Sequence, residues 1–475
     1  MASVRQRKLL EENDVSRSDS SPSSRSPRPR ASGYWRKKFF FLLGFGLVST
    51  FFIGLYCNVS TWKVSSHATN LLDDLAYMLR LHKHVHAVII DAGSTGSRVL
   101  AFSFHEPIFG EKNLKLHGEL FYQIKPGLSS FADNPEKGAE HLQILLEKAK
   151  SVIPREAWAE TPLSMKATAG LRLLPKEKAE ALLREVSKLF ANSPFHTTAS
   201  SVGIMDGVDE GLFSWFTVNF LQDRLGGDVE NTAAALDLGG GSTQITFAPS
   251  SEATLKASDP EYLYHISAFH QNITVYTHSY LGLGLMAARK EILSVGNPAD
   301  ATELHSECIN PIIKTEWAYG GKTYKVLGSK NPLYLEIKGN ANRIPEKKPV
   351  VRFEECAKII RNYVSNKVDK PKELNKKEIN AFSYYFDRAT EYGLIDPFKG
   401  GVVKIKQFHD AAVATCATPN TEQPFMCLDL TFISVLLQDG FGLNPQTSLN
   451  LFKKIDGHEI SWALGAAFHI LQNGL

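Results

Sequence analysis

The chain has 475 residues, 43% apolar and 22% charged, which excludes a fully disordered or fibrous protein and allows two lobes rather than one small core. Its net charge of +3 is uneven: residues 1–38 carry ten basic and four acidic side chains, and the remainder carries 43 basic against 46 acidic. The part expected to fold is therefore slightly acidic, which argues against nucleic acid as a partner.

Residues 1–38 are rich in Ser, Pro and Arg and cannot bury enough surface to fold, so they read as a disordered cytosolic tail. Arg36-Lys37-Lys38 then precedes an uncharged run from Phe39 to Cys57, which is 19 residues and long enough to cross a bilayer. The run starts late, exceeds a signal peptide's apolar core and lacks a small-residue cleavage site after it, so an uncleaved anchor is the preferred reading. Positive charge before the run and little after it places the N-terminus in the cytosol. The rest of the chain is then expected in the Golgi or ER lumen, held by one N-terminal span.

Residues 58–84 read as a stalk. Asn58-Val59-Ser60 and Asn272-Ile273-Thr274 are glycosylation acceptors, with Asn272 the better placed because Asn58 adjoins the membrane. Beyond Cys57, which is expected to be free, Cys308, Cys356, Cys416 and Cys427 form an even set, as two disulfides would require in an oxidising compartment. No Cys/His spacing supports a zinc site instead.

The folded part opens on an apolar strand at Val88-Ile89-Ile90, with further strands expected at 97–104 and 117–124. Asn134-Pro135 and Pro175 open two helices, running to about Val152 and Phe190, because Pro suits a first helical turn. A strand at Ala233–Leu236 ends on Asp237, and Ser461–Leu471 reads as an apolar helix too short for a second span. Alternating strands and helices predict an α/β fold.

One segment echoes another. The strand Val88–Ile90 leads to Asp91, then Gly93-Ser94-Thr95; the strand Ala234–Leu236 leads to Asp237, then Gly239-Gly240-Gly241-Ser242-Thr243. Glycines let successive N–H groups converge on an anion, hydroxyls add donors, and a strand-end Asp holds a hydrated Mg²⁺ or Ca²⁺ that bridges to phosphate. Either segment alone could be a Gly-rich hairpin with a solvated Asp; two predict similar lobes facing one cleft. Lys166–Arg172 reads alone as a plain strand-to-helix connection. Asp206, Asp209 and Glu210 open a helix, either as solvated charges favoured by its dipole or with one as a general base. No Lys follows the first loop as in a P-loop, which excludes that fold.

These segments resemble the apyrases and ectonucleoside triphosphate diphosphohydrolases, related in fold to actin, sugar kinases and heat-shock chaperone ATPases. The resemblance rests on DAGSTGSR (91–98), ATAGLRLL (167–174), GIMDGVDEG (203–211), ALDLGGGSTQI (235–245), YLGLGLMAAR (280–289), AFSYYFDR (381–388) and SWALGAAF (461–468). The single anchor and the first motif are similar to the Golgi and ER nucleoside diphosphatase branch. The cell-surface branch has His where this chain has Gly96, a departure that argues against efficient triphosphate cleavage.

The resemblance implies Glu210 as the base for an attacking water, with Ser242 and Gln244 orienting that water. It implies Asp91 and Asp237 as holders of Ca²⁺ or Mg²⁺ through its water shell. Ser94, Thr95, Gly96, Thr168, Gly240 and Gly241 would contact phosphate. Tyr384 or Tyr385 would stack on the base, and disulfides would join Cys308 to Cys356 and Cys416 to Cys427. The implied fold has a first lobe at 85–206, completed by 455–475, and a second lobe at 207–454.

The same fold also carries kinases and exopolyphosphatases, which release from a nucleoside diphosphate without an acceptor would set apart. A nucleotide-gated chaperone-like binding protein needs a peptide-binding domain after the last helix, and none is expected here. A glycosyltransferase shares the anchor and stalk, but no Asp-x-Asp motif supports it.

Overall fold

The computed structural model describes residues 81–108, 113–269, 271–337 and 346–475, with scattered positions before 81. Asn58, the stalk up to residue 70 and most of the 39–57 run lie outside the described residues. Among the described residues no helix is long and apolar enough to cross a membrane. Two compact units divide at Leu71: of the first, residues 44, 46, 49, 50 and 71 are described as helical, and the second is Leu72–Leu475.

Among the described residues, the second unit is built on two main sheets. In the first, β1 (His84–Ala92), β2 (Ser97–His105), β3 (Lys115–Ile124), β4 (Leu163–Ala167) and β5 (Val202–Ile204) lie in the order β3-β2-β1-β4-β5. Strands β1 to β3 pair antiparallel, whereas β4 and β5 continue the sheet in parallel. Parallel neighbours require crossovers, and helices α1 (Pro135–Lys150) and α3 (Lys176–Ala191) flank β4 in sequence. Asn134 caps α1 by accepting from Lys137 N at 3.2 Å, and Pro135 occupies the first turn. Leu142, Leu145, Leu146 and Ala149 of α1 recur at helical spacing and pack with Leu182 and Val186 of α3 against β1 and β4.

The second sheet repeats this plan. Strands β6 (Ala234–Leu238), β7 (Ser242–Phe247), β8 (Leu263–Ala268) and β9 (Gln271–Leu281) form its antiparallel part. A subsidiary sheet, β10 (Glu303–His305), β11 (Lys314–Tyr319) and β12 (Lys322–Leu327), and a hairpin, β13 (Leu333–Ile337) and β14 (Glu346–Val350), follow. The main sheet then resumes with β15 (Ile379–Ser383), β16 (Gly401–Lys404) and β17 (Ser448–Leu451). Its order is β16-β17-β15-β6-β7-β9-β8, with β6, β15 and β17 parallel. Stripped of its edge strands, β9-β7-β6-β15-β17 matches β3-β2-β1-β4-β5 strand for strand. The echo between Asp91 and Asp237 is therefore a repeat of topology: each ends the central strand of a two-lobed α/β fold.

Two helices join the sheets. α4 (Gly207–Leu221) places Phe216 with β1 and β2, and Trp215 and Val218 with β6 and β9. The final helix, Trp462–Asn473, packs on α4 and β1. Gly465 allows that approach, since a Cβ there would lie 2.5 Å from Phe213 O. Disulfides join Cys308 to Cys356 and Cys416 to Cys427. The first ties the connection between β10 and β11 to helix Phe353–Val364; the second ties helix Ile405–Cys416 to helix Met426–Val435.

Candidate active site

Each Asp-Gly segment is a β-hairpin. Strands β1 and β2 pair Asp91 with Arg98 across the first turn, and β6 and β7 pair Asp237 with Gln244 across the second. In the second turn the carbonyls of Gly239 and Gly240 accept from Leu285 N and Met286 N, both at 2.9 Å. Peptide planarity then turns the N–H groups of Gly240 and Gly241, both of which line the cavity, away from Leu285 and Met286. Thr243 Oγ1 donates to Asp237 O at 2.6 Å and fixes the turn. The two hairpins nearly touch: a Cβ on Gly240 would lie 2.2 Å from Ser94 Oγ. A side chain at that position would displace the Ser94 hydroxyl and crowd Thr95.

Between them lies a cavity of about 480 Å³. Its lining includes Asp91, Ser94, Thr95, Thr168, Glu210, Asp237, Gly240, Gly241 and Ser242. Gly96 is buried beside it, where a Cβ would meet Gln123 Nε2 at 2.7 Å. The two aspartates are not solvated; Asp91 is 3% and Asp237 7% exposed. Arg98 Nη1 donates to Asp91 Oδ2 at 2.7 Å. Asp91 Oδ1 and Asp237 Oδ1, both buried, have no hydrogen-bond partner among the described residues. Unpartnered carboxylate oxygens facing a polar cavity suit the water shell of a hard cation such as Mg²⁺ or Ca²⁺.

Glu210 sits in the first turn of α4, 6% exposed. Its Oε2 accepts from Arg172 Nη2 and from Gln244 Nε2, the latter at 3.0 Å. Gln244 Nε2 also lies 2.9 Å from Ser242 Oγ and 2.9 Å from Ser279 Oγ. Glu210, Gln244 and Ser242 thus form one connected group. Burial pushes the Glu210 carboxyl up to about 8, against the pull of Arg172, while the charges of Asp237 and Asp91 add to the rise. Burial likewise pushes Asp237 up to about 6, opposed by a hydrogen bond from Ser383 and by Arg98. Three buried carboxylates facing one space favour a cation among them.

The neighbouring carboxylates are elsewhere. Asp206 is the exposed N-cap of α4, accepting from Val208 N at 2.8 Å. Asp209, also exposed, lines a separate cavity with Lys166 and His469.

Of the tyrosine pair only Tyr384 lines the cavity, with its hydroxyl 3.4 Å from Thr95 Oγ1. Tyr385 is fully buried in the core of the second lobe, so it cannot meet a base and is removed from the candidates. Several cavity residues lay outside the sequence assignments. Arg98 and Arg289 line the cavity and each ended a motif without a role, and Arg172, outside the lining but donating to Glu210, lay inside ATAGLRLL without one. Arg289 holds buried Asp429 through Nε at 3.0 Å and Nη2 at 2.5 Å, with its guanidinium 4.3 Å from the Phe425 ring centre. Ser383, beside Asp237, has φ +57° and ψ −126°, a left-handed backbone that is strained without glycine. Nothing in the sequence flagged Phe425 or Asp429.

Residues 78–474 match the model of the GDA1/CD39 (nucleoside phosphatase) family. The chain belongs to that family. It is 43% identical over 396 residues to nucleoside diphosphate phosphatase ENTPD5 of Homo sapiens, covering 82% of this chain and 88% of that one. It is 44% identical over 400 residues to ectonucleoside triphosphate diphosphohydrolase 6 of Rattus norvegicus, covering 83% of each. Among solved structures, a nucleoside triphosphate hydrolase of Neospora caninum superposes with a TM-score of 0.52 at 14% identity. That match covers 88% of this chain and 98% of the other, and it shows a shared fold. As a member of the nucleoside phosphatase family the protein is a hydrolase, and the cavity between its hairpins is the candidate place for that chemistry.

Proposed function

We propose that the protein hydrolyses the terminal phosphate of nucleoside diphosphates such as UDP and GDP, with Glu210 as the base. The observation that carries this reading is that Glu210 and Ser242 both line the cavity and are linked behind it by buried Gln244, whose Nε2 meets Glu210 Oε2 and Ser242 Oγ. The identity to a protein named for nucleoside diphosphates supports the substrate class.

Cleavage of a phosphoanhydride depends on positioning and charge neutralisation. The N–H groups of Gly240 and Gly241 and the hydroxyls of Ser94, Thr95 and Thr168 receive the phosphate oxygens. Ser242 Oγ and Gln244 orient a water in line with the bond to be broken. Glu210 takes that water's proton as its oxygen bonds to phosphorus and the bridging oxygen leaves with the nucleotide. Asp91 and Asp237 would hold a divalent cation, Ca²⁺ or Mg²⁺, through its water shell, and that ion supplies charge neutralisation on the phosphate oxygens. Tyr384 offers a stacking face for the base.

The catalytic unit would face the secretory lumen behind an N-terminal anchor at Phe39–Cys57. The basic flank at Arg36–Lys38, two disulfides and an exposed Asn272 support that placement.

The test is phosphate release by the purified full chain from UDP, GDP, UTP, GTP, UMP and polyphosphate, with and without chelator. Release from the diphosphates that chelation removes is expected. Preference for polyphosphate, or transfer to a hexose without free phosphate, would overturn the reading.

A further inference from the structure

Remote from the cavity, at the opposite end of the first sheet, lies a second polar cluster. Asp73 belongs to a helical stretch before β1, His82 to the segment entering β1, and His105 is the last residue of β2. All three are buried, Asp73 completely. His82 Nε2 lies 2.8 Å from Asp73 Oδ1, and His105 Nε2 lies 3.8 Å from Asp73 Oδ2. Among the described residues, these three bring one ligand atom each to within 4.8 Å of one another. His105 pairs with His84, seven residues before Asp91, so the cluster sits roughly 23 Å along the strand from the cavity at 3.3 Å per residue.

We propose that Asp73, His82 and His105 bind a Zn²⁺-class cation that clamps the segment before β1 onto the first sheet. Two imidazoles and one carboxylate suit a borderline transition ion, whereas Mg²⁺ and Ca²⁺ take oxygen ligands. Tetrahedral bonds of 2.0–2.2 Å place ligand atoms about 3.3 Å apart, so the widest gap has to close by only about 1.5 Å. Ile108 N donates to Asp73 Oδ1 at 2.9 Å and fixes the carboxylate.

Lys115 provides the control. Its Nζ lies 2.8 Å from Asp73 Oδ2, and its side chain is 38% exposed. The ammonium can therefore occupy the carboxylate in the metal-free state and swing to solvent when a cation arrives. Lysine and metal compete for one oxygen, and removing the lysine should tighten metal binding.

The experiment is equilibrium dialysis of the full chain against Zn²⁺ in excess Mg²⁺, with metal counted by mass spectrometry and thermal unfolding followed in parallel. Wild type should hold one Zn²⁺ and unfold at higher temperature with it. His82→Gln/His105→Gln should lose both effects while keeping its phosphatase activity. Lys115→Met retains all three ligands and should bind more tightly, so it keeps the test decisive if the double variant fails to fold. His84→Gln/His117→Gln, altering the exposed ring pair whose centres lie 5.9 Å apart, should bind as wild type does. No Zn²⁺ on wild type, loss in the His84/His117 variant instead, or a Lys115→Met affinity equal to or below wild type would overturn the proposal.

Discussion

Arg172 donates from Nη2 to Glu210 Oε2, the same carboxylate oxygen that receives Gln244 Nε2. The guanidinium is the nearest compensation for a carboxylate that burial holds high, at about 8, and it lowers that value. A base works deprotonated, so kcat/KM should fall tenfold per pH unit below the free enzyme's value for this group. Removing Arg172 raises that value further. Arg172→Met should therefore move the acidic limb of the kcat/KM profile to higher pH, and activity lost at neutral pH should return on the alkaline side. An unmoved limb would leave Arg172 with a structural role only.

Asp237 predicts a trade between stability and activity. Its carboxyl is buried near Asp91 and Glu210, and its folded value of about 6 lies above the ordinary 3.8. The protonated form thus favours the fold, and that stability is present below the ordinary value and lost as pH rises through 6. A neutral amide removes the burden, worth on the order of 3 kcal/mol. In chelator at neutral pH, Asp237→Asn should unfold a few degrees above wild type. With Mg²⁺ or Ca²⁺ present it should lose roughly a hundredfold or more in phosphate release. A lower unfolding temperature in chelator would refute the electrostatic reading.

The disulfides differ in the loops they close. Cys308–Cys356 spans 48 positions and Cys416–Cys427 spans 11. Each should contribute about 2–4 kcal/mol, the longer loop more in the chain-entropy model. Cys308→Ala/Cys356→Ala should lower the unfolding temperature more than Cys416→Ala/Cys427→Ala. Equal shifts would mean that local strain or packing outweighs loop length.

Asn272 is exposed near the start of β9, close to the hairpin turn. Protein made in secretory cells should gain mobility on a gel after glycosidase treatment, and Asn272→Gln should remove most of that shift. No shift would count against the lumenal placement.

How much of this was legible in the sequence follows from the range of each contact. The hairpins were readable because strand, Asp and glycines are contiguous. The equivalent topology of the two sheets explains why one echoes the other. The Asp91–Arg98 pair is also local, seven residues apart across one turn, although the sequence reading left Arg98 without a role. Arg172 and Glu210 are 38 residues apart. They meet because β4 and β5 are parallel neighbours that deliver α2 (Ala169–Arg172) and α4 to the same edge. That pairing is set by the sheet and leaves no local pattern, so Lys166–Arg172 read as a plain connection. Tyr384 and Tyr385 could not be separated because a helix turns about 100° per residue, and only packing decides which faces the cavity. Arg289 and Asp429, 140 residues apart, are joined through helix packing alone.

The most direct measurement of the central claim is steady-state phosphate release from UDP and GDP by wild type and Glu210→Gln, with Asp206→Asn and Asp209→Asn alongside. Glutamine keeps the size of Glu210 and removes the base, so kcat should fall by about 10²–10⁴ while KM changes little. Asp206→Asn keeps a capping side chain and Asp209→Asn faces another cavity, so both should turn over near the wild-type rate. Near-normal turnover by Glu210→Gln, with loss in Asp206→Asn or Asp209→Asn, would contradict the account.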